Sequence, residues 1–399
     1  MVAIRPRDDL DQLDRIFLRH FLASARLRDQ LVGVGMQLSP SLLAEVAVPV
    51  MDGDLRLALQ SVETAIQELS SYSALGQGLI EELLGDENLT SGRTRLLERS
   101  NLLRQRAAAA RSLDDLNYRV ATRYPLPVAF RWRTAMAARG GPHELTQILH
   151  AHEVMHAYLA IIALVVARNL DTEVGHTKDM RQRLRRGQGV TLGDWTNILR
   201  NVAEAKTFRR AAETEPFIEV TDFLSRSSTE QASSLLTKIR NDLAHLRQFG
   251  PAEATEVVAS ARDQLETLYE AADFLMEYPL VRVLKTNWDS FEHTNTIEYL
   301  ALNGDHAAVP RSTLVSDSSE IEADSLYLLD RRGRLHLLNP LLIGRDCPEC
   351  GHWSTFHPDR PAKNDESMFE YKSLEHGHPV ALPIADRLVS AGILGERNG

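Results

Sequence analysis

The run Ile239-Arg240-Asn241-Asp242-Leu243-Ala244-His245 brings a cation, an amide, a carboxylate and an imidazole close together in the sequence. An imidazole titrates near neutrality, so it can accept or release a proton at physiological pH. A neighbouring arginine can stabilise negative charge that develops on a phosphate. These residue types predict acid–base chemistry at a charged group. The candidate catalytic residues are Arg240, Asn241, Asp242 and His245.

The spacing of arginine and histidine alone does not select this run. Composition predicts about 1.4 such pairs by chance, and the chain has Arg15–His20, Arg240–His245 and Arg331–His336. Apolar bulk fills the gap of the first pair, and the third contains a glycine that is typical of a hairpin turn. The second pair is followed by polar residues inside a helical pattern, which favours it as the chemical site.

The string Ile-Arg-Asn-Asp-Leu-Ala-His resembles the Arg-polar-x3-His signature of HEPN domains, over roughly residues 121–285. That family is all-helical, and many members are metal-independent endoribonucleases of bacterial defence and toxin systems. The resemblance implies that RNA is the partner and that its own 2′-hydroxyl is the nucleophile. It also implies that His245 transfers protons, that Arg240 stabilises the phosphorane, and that no cofactor is required for catalysis. Asn241 would orient the phosphate or the imidazole, and Asp242 would bias the imidazole.

Arg240 and His245 lie about 140° apart around an ideal helix, so one helix presents them poorly to a single phosphate. Paired HEPN protomers create a composite cleft, and the resemblance therefore implies a homodimer. Two alternatives stay open. In the first, the domain is a non-catalytic HEPN module that dimerises or binds a protein partner in a defence or signalling system. In the second, the motif is purely structural, with Arg240 paired to an acid and His245 satisfied in the core.

A second motif, His152-Glu153-Val154-Met155-His156, matches the zincin pattern His-Glu-x-x-His. Its histidines share one helix face, and in a metalloprotease they bind zinc while the glutamate acts as general base. The third ligand of metzincins is missing, because Leu159 and Ile162 occupy the extension positions. A zinc metalloprotease is therefore a minor alternative, and Glu173 is the remaining downstream carboxylate.

The segment from His176 to Arg210 is rich in cations. Such a patch can neutralise RNA phosphates, although a solvated run of charge on the surface is an equal alternative. The predicted RNA-binding residues are Arg181, Arg183, Arg185 and Arg186. The net charge of −10 argues against nucleic-acid binding over the whole surface, so any RNA site must be local.

The chain has two cysteines, in the knuckle-like run Cys347-Pro348-Glu349-Cys350. A second Cys pair is missing, so a structural zinc site would need histidines, and an eroded knuckle without metal is the alternative. His376 and His378 are the candidate partners, and His352 and His357 are further candidates. Two cysteines three positions apart give no disulfide framework, which fits a reducing cytosol. No secretory signal pattern is evident, and cytoplasmic localisation without a membrane span is expected.

These patterns together predict a mainly α fold. A helical N-terminal region would cover residues 1–120, a HEPN-like helical bundle residues 121–285, and a small β-rich domain with the Cys knuckle residues 286–399. The apolar stretch Tyr158 to Ala167 is about half a membrane span, so it predicts a buried core helix. A hairpin is expected over Tyr327 to Leu338, where apolar residues flank a glycine turn.

Overall fold

The structure is a computed structural model, and it forms two compact units, Met1–Ala110 and Arg111–Gly399. It describes residues 10–30, 46–85, 93, 96–97, 99–100, 102–105, 107, 114–211, 215–245, 249–305, 309–363, 365 and 367–392.

The first unit is helical in its described residues. It contains α1 (Gln12–Ala23), α2 (Ala25–Gln30) and the long α3 (Gly53–Gly85). Helix α1 begins where the Asp11 carboxylate accepts a hydrogen bond from a backbone N–H, and Arg56 of α3 pairs with Asp11 and Asp14. These ion pairs fasten α1 to α3. These described segments are helical, and the rest of the predicted N-terminal region up to residue 110 lies largely outside the described residues.

The prediction of a mainly α fold is wrong, because the chain is 54% helix and 17% strand with two antiparallel sheets. The fold is therefore mixed α/β, and the description all-alpha is likewise corrected. The sequence underestimated the extent of the strands for a physical reason. Leu280 and Val281 are both buried at the start of the first strand, and residues 354–359 are buried without a break, so neither stretch alternates strictly between buried and exposed residues. The expected hairpin over Tyr327 to Leu338 is confirmed, because residues 327–329 pair antiparallel with residues 335–337.

The second unit begins with a helical layer. Several starts are fixed locally: the Asp115 carboxylate accepts from the Asn117 N–H at 2.8 Å, and Thr191 forms a capping box with Asp194. The helices are α4 (Leu116–Arg123), α5 (Leu126–Ala137), α6 (Glu144–Asn169), α7 (Thr177–Arg185), α8 (Leu192–Glu204), α9 (Lys206–Arg209), α10 (Ser227–Ala244) and α11 (Pro251–Ala271). Short 3₁₀ turns lie at Ile218–Asp222 and Asp273–Glu277.

Helix α6 is the core of this layer. It is the one described helix that is long and apolar enough to cross a membrane, yet 89% of its apolar window is buried inside the protein. Residues 154–167 are buried without interruption. Such a helix belongs to the interior of a folded domain, which confirms the prediction for Tyr158 to Ala167. Helices α5, α8, α10 and α11 all pack against it.

Two sheets follow the helices, and all their strand pairs are antiparallel. The first has the order β3-β2-β1-β4-β5 and contains β1 (Leu280–Asp289), β2 (Thr294–Ala301), β3 (Arg311–Ser316), β4 (Leu326–Leu329) and β5 (Leu335–Leu337). The second has the order β6-β7-β8-β9 and contains β6 (Ile343–Asp346), β7 (Trp353–Pro361), β8 (Phe369–Ser373) and β9 (Pro379–Leu382). Helix α12 (Ala385–Ser390) follows.

The helices and sheets of this unit share one hydrophobic core, which extends from Val120 to Leu388. Hydrogen bonds also cross between them. The Leu126 N–H donates to the Leu302 carbonyl at 2.8 Å, and the Arg131 Nε donates to the Leu374 carbonyl at 2.8 Å. The strands therefore help to hold α5, which packs on α6.

We expect Gly304→Ala to destabilise the protein more than Gly333→Ala. Both glycines have positive φ, +67° and +76°, so alanine at either position meets backbone strain of about 1–2 kcal/mol. At Gly304 the added Cβ would also lie 2.4 Å from the Ala121 carbonyl oxygen, whereas Gly333 has nothing within 4 Å. Thermal unfolding of both variants measures the difference. Equal losses of Tm would contradict a role for this close approach.

Candidate functional site

Helix α10 carries the signature, and one of its sides is buried. Thr229, Ala232, Ser233, Leu236 and Ile239 form the buried stripe. The Ser233 hydroxyl lies 2.9 Å from the His156 Nε2 on α6, which fixes the rotation of α10 about its own axis. The remaining side of α10 faces outward, toward α8 and solvent.

Helix α8 is held in place by a buried carboxylate. Asp194 accepts hydrogen bonds from the Thr191 N–H at 2.7 Å and from the Arg183 Nη2 at 2.7 Å, and it lies 3.0 Å from the His176 Nε2. Burial alone would raise the pKa of Asp194, but these partners hold it below its usual range. A charged Asp194 therefore anchors the first turn of α8 against α7.

A cleft of about 330 Å³ lies between α8 and α10. The signature residues Asn241 and Asp242 line it, together with the cations Arg200 and Lys238. The other lining residues are polar or small: Gly193, Thr196, Asn197, Ser234 and Thr237. None of these seven additional residues is among the site residues predicted from the sequence, although Arg200 lies in the cation-rich segment from His176 to Arg210. A signal was present on α10, where Ser234, Thr237, Lys238 and Asn241 recur at helical spacing.

Arg240 faces a different way from Asn241 and Asp242. It is half-buried and forms no hydrogen bond or ion pair with the described residues. Its charge helps to lower the pKa of His150 and His152 on α6, in both cases after the larger effect of burial. Arg240 therefore lies on the side of α10 that faces the first turns of α6.

His245 is exposed at the end of α10, where its backbone N–H donates to the Asn241 carbonyl at 3.0 Å. The structure brings Asn241 and Asp242 together in the cleft, and His245 follows them by one helical turn on the same stripe. Arg240 points away by the angle that helix geometry predicts. A single chain therefore does not direct Arg240 and His245 at one phosphate.

The histidines of the His-Glu-x-x-His motif are both fully buried. The two nitrogens of His156 are engaged by Ser233 and by the His152 carbonyl, at 2.9 and 3.1 Å. His152 packs against it with ring centroids 4.3 Å apart, and neither of its nitrogens has a hydrogen-bond partner. Within the part of the chain that the structure describes, no third ligating side chain joins the pair. This arrangement argues for core packing rather than a zinc protease centre.

The arginines predicted to bind RNA differ in their exposure to solvent. Arg183 is committed to Asp194 and to the Gly189 carbonyl, and Arg181 pairs with Glu173. Arg185 and Arg186 are exposed. The charge excess of this segment therefore overstates its capacity to bind phosphate, because Lys178, Arg181 and Arg183 are already paired with carboxylates within the fold.

The C-terminal knuckle brings potential metal ligands together. The atoms of Cys347, Cys350 and His378 lie within 4.8 Å of one another, and so do those of Cys350, His352 and His376. These residues lie close enough to hold a metal ion. Burial would raise the pKa of Cys347, but backbone N–H groups of Cys350 and Glu349 and the His378 ring lower it to about 7.

Two turns position these ligands. The first is the knuckle itself, in which the Cys347 N–H donates to the His352 carbonyl at 2.8 Å and Gly351 adopts a φ of +72°. The second joins β8 to β9 and carries His376 and His378. His357, a further sequence candidate, lies elsewhere in the core, with its ring against Trp195.

Comparisons with protein-family models, curated proteins and solved structures give no match. The resemblance to HEPN domains therefore rests on the signature at Arg240–His245 and on its helical setting.

The buried histidines predict that the protein loses stability in acid. Burial lowers the pKa of His156 to about 4 and that of His152 well below 6.5. Below pH 6.5 the unfolded chain binds protons at these groups that the folded chain does not, so stability falls as the pH drops toward 4. For His156 alone, the loss over this window is on the order of 3 kcal/mol.

Urea denaturation at pH 7 and pH 5 measures this loss. His156→Gln retains an amide that can bond to the Ser233 hydroxyl but does not titrate. Its free energy of unfolding should therefore vary less with pH than that of the parent protein. The same pH dependence in both proteins would contradict the assignment to His156.

Proposed function

We propose that the protein is a metal-independent endoribonuclease of the HEPN type that acts in the cytoplasm, in bacterial defence or a toxin system. The observation that carries the proposal is the α8–α10 cleft, where Asn241 and Asp242 meet the cations Arg200 and Lys238. Neither cation forms an ion pair with a described carboxylate, so both can bind the negative charge of a phosphodiester. The exposed imidazole of His245 follows on the same helix stripe.

The reaction would use the nucleophile that RNA itself supplies. His245 removes the proton from the 2′-hydroxyl, the 2′-oxygen attacks phosphorus, and the bond from phosphorus to the 5′-oxygen breaks. The leaving oxygen takes up a proton, and the products are a 2′,3′-cyclic phosphate and a 5′-hydroxyl. Arg240 stabilises the additional charge on the phosphorane. Asn241 orients the phosphate from within the cleft, and Asp242 biases the imidazole.

The divergence of Arg240 and His245 supports a composite site made by two copies of the chain. Because the two side chains leave α10 about 140° apart, a second α10 would have to supply the group that the first directs elsewhere. A homodimer in which one protomer contributes Arg240 and its partner contributes His245 meets this requirement.

A second candidate function is a non-catalytic HEPN module that dimerises or binds a protein partner. The position of Arg240 favours this second function. Arg240 is half-buried and faces α6, so its aliphatic stem can pack against that helix instead of binding a substrate. In that case the exposed His245 contributes nothing to chemistry.

We expect His245→Ala and Arg240→Ala each to lower RNA cleavage about 100-fold or more, the scale of one acid–base or charge-stabilising group. Labelled RNA incubated with the purified protein in excess EDTA measures this loss, and the products should end in cyclic phosphate. Circular dichroism in the same buffer verifies that each variant is folded. His293→Ala, which changes an exposed histidine of the β1–β2 turn, is the matched control.

Mixing the two inactive variants tests the composite site. An Arg240→Ala protomer paired with a His245→Ala protomer retains one intact half-site, so part of the activity should return. A folded His245→Ala protein that cleaves as fast as the parent would overturn the ribonuclease and favour the binding module. A His245→Ala protein that does not fold would instead assign the imidazole a structural role.

We infer that the knuckle holds a structural zinc ion. Cys347, Cys350 and His378 supply three ligand atoms, and His352 or His376 completes a tetrahedral set. Zinc would tie the β6–β7 knuckle to the β8–β9 turn, which are far apart in the sequence. The His376 ring also packs on Phe130 of α5, with centroids 5.0 Å apart, so the site would brace the sheet against the helices.

Elemental analysis of protein purified without chelator should find about one zinc ion per chain, as expected for one tetrahedral site. Cys350→Ser should lose the zinc and lower Tm, since Cys350 belongs to both possible ligand sets. Comparing His352→Ala with His376→Ala identifies the fourth ligand. If the parent protein contains no zinc, the inference is contradicted. If the zinc is lost in His152→Ala instead, the metal lies at the His-Glu-x-x-His motif.

A further inference from the structure

The α8–α10 cleft has the composition of an oxyanion site. Two cations, Arg200 and Lys238, line it against one carboxylate, Asp242. The remaining polar lining is made of hydroxyls and amides: Thr196, Asn197, Ser234, Thr237 and Asn241. Hydroxyl and amide donors beside guanidinium and ammonium groups suit a ligand rich in acceptor oxygens. Its volume of about 330 Å³ is at the small end of ligand-binding clefts, which is large enough for one nucleotide.

Two buried polar atoms of this cleft lack hydrogen-bond partners. They are the Nε of Arg200 and the Oγ1 of Thr237. An unsatisfied buried polar atom is costly, so folded proteins seldom leave such atoms unpaired without a reason. They come from opposite walls of one cleft, α8 and α10. Both atoms are shielded from solvent, but the residues that carry them line the cleft, so the fold leaves polar groups unsatisfied in both of its walls.

The cleft residues of α10 lie on the same helix stripe as the proposed catalytic imidazole. Ser234, Lys238 and Asn241 occupy one stripe of α10, and His245 continues the same spacing. Lys238 precedes His245 by about two helical turns, or about 10 Å along the helix axis. If Lys238 binds one phosphate of an RNA strand, a neighbouring nucleotide of the same RNA can therefore reach His245.

We propose that the α8–α10 cleft binds a phosphate group of the RNA substrate next to the scissile one, held by Arg200 and Lys238. This proposal rests on the proposed ribonuclease function. The two cations are positioning residues, because they hold the strand without touching the bond that breaks. The phosphate chemistry is shared by an RNA chain and a free mononucleotide, and the experiment separates these two sources.

The test measures binding to the full-length protein, apart from cleavage. Isothermal titration with 3′-AMP probes the cleft alone, and titration with a 2′-deoxy oligonucleotide, which carries no 2′-hydroxyl, probes a strand. Arg200→Ala and Lys238→Ala should each weaken oligonucleotide binding about tenfold or more, the scale of a charge-assisted hydrogen bond. Each should also reduce the slope of log affinity against log salt by about 0.7, the value for one single-strand phosphate contact.

Charge-matched controls lie outside the cleft. Arg226→Ala alters an exposed arginine at the start of α10, and Lys285→Ala alters an exposed lysine of β1. Both should bind oligonucleotide as the parent does. The conservative change Lys238→Arg should retain binding, which a purely structural role for the lysine would not predict.

The outcomes separate this proposal from the ribonuclease. Weakened binding in both cleft variants, with binding unchanged in the two controls, supports the phosphate site even if His245→Ala still cleaves RNA. If 3′-AMP binds but the oligonucleotide does not, the cleft takes a free nucleotide and the proposal of an RNA strand is overturned. Folded Arg200→Ala and Lys238→Ala proteins that bind the oligonucleotide like the parent overturn the site, whatever His245 does.

Discussion

The buried helix α6 is the constraint on which the rest of the second unit depends. A helix that is apolar around its whole circumference must be covered on every side. Helices α5, α8, α10 and α11 cover it, and the core continues from them into the sheets. The contact between His156 and Ser233 then fixes how α10 is rotated. That rotation decides that Asn241 and Asp242 face α8 while Arg240 faces α6.

The sequence predicted the helices better than the strands. Helices α6 and α8 carry local signals, an apolar run in the first and a capping box at Thr191 and Asp194 in the second. Strand β7 carries no such signal, because its burial is nearly continuous and its stability comes from pairing with β6 and β8. The fold class was therefore misjudged where structure depends on contacts between distant segments.

The candidate sites divide in the same way. The signature and the Cys pair are visible as short runs, and both could be selected from residue types. The cleft could not, because Arg200 and Lys238 belong to different helices and meet only when both helices pack around α6. His378 was a candidate ligand, but its closeness to Cys347 depends on the turn between β8 and β9. A site whose residues lie in one short run can be predicted from the sequence. A site whose residues come from two distant elements can be identified only from the fold.

The number of charged residues in a segment predicts an anion-binding site less well than the number of those charges that the fold leaves unpaired. The fold pairs several of its half-buried arginines with acids: Arg183 with Asp194, Arg262 with Glu144 and Arg181 with Glu173. Arg200 and Arg240 form no ion pair with the described residues, although burying an unpaired charge is costly. Both flank the signature, one in the cleft and one toward α6. An unpaired Arg200 that lines a cleft is the arrangement expected where an anionic ligand supplies the missing partner.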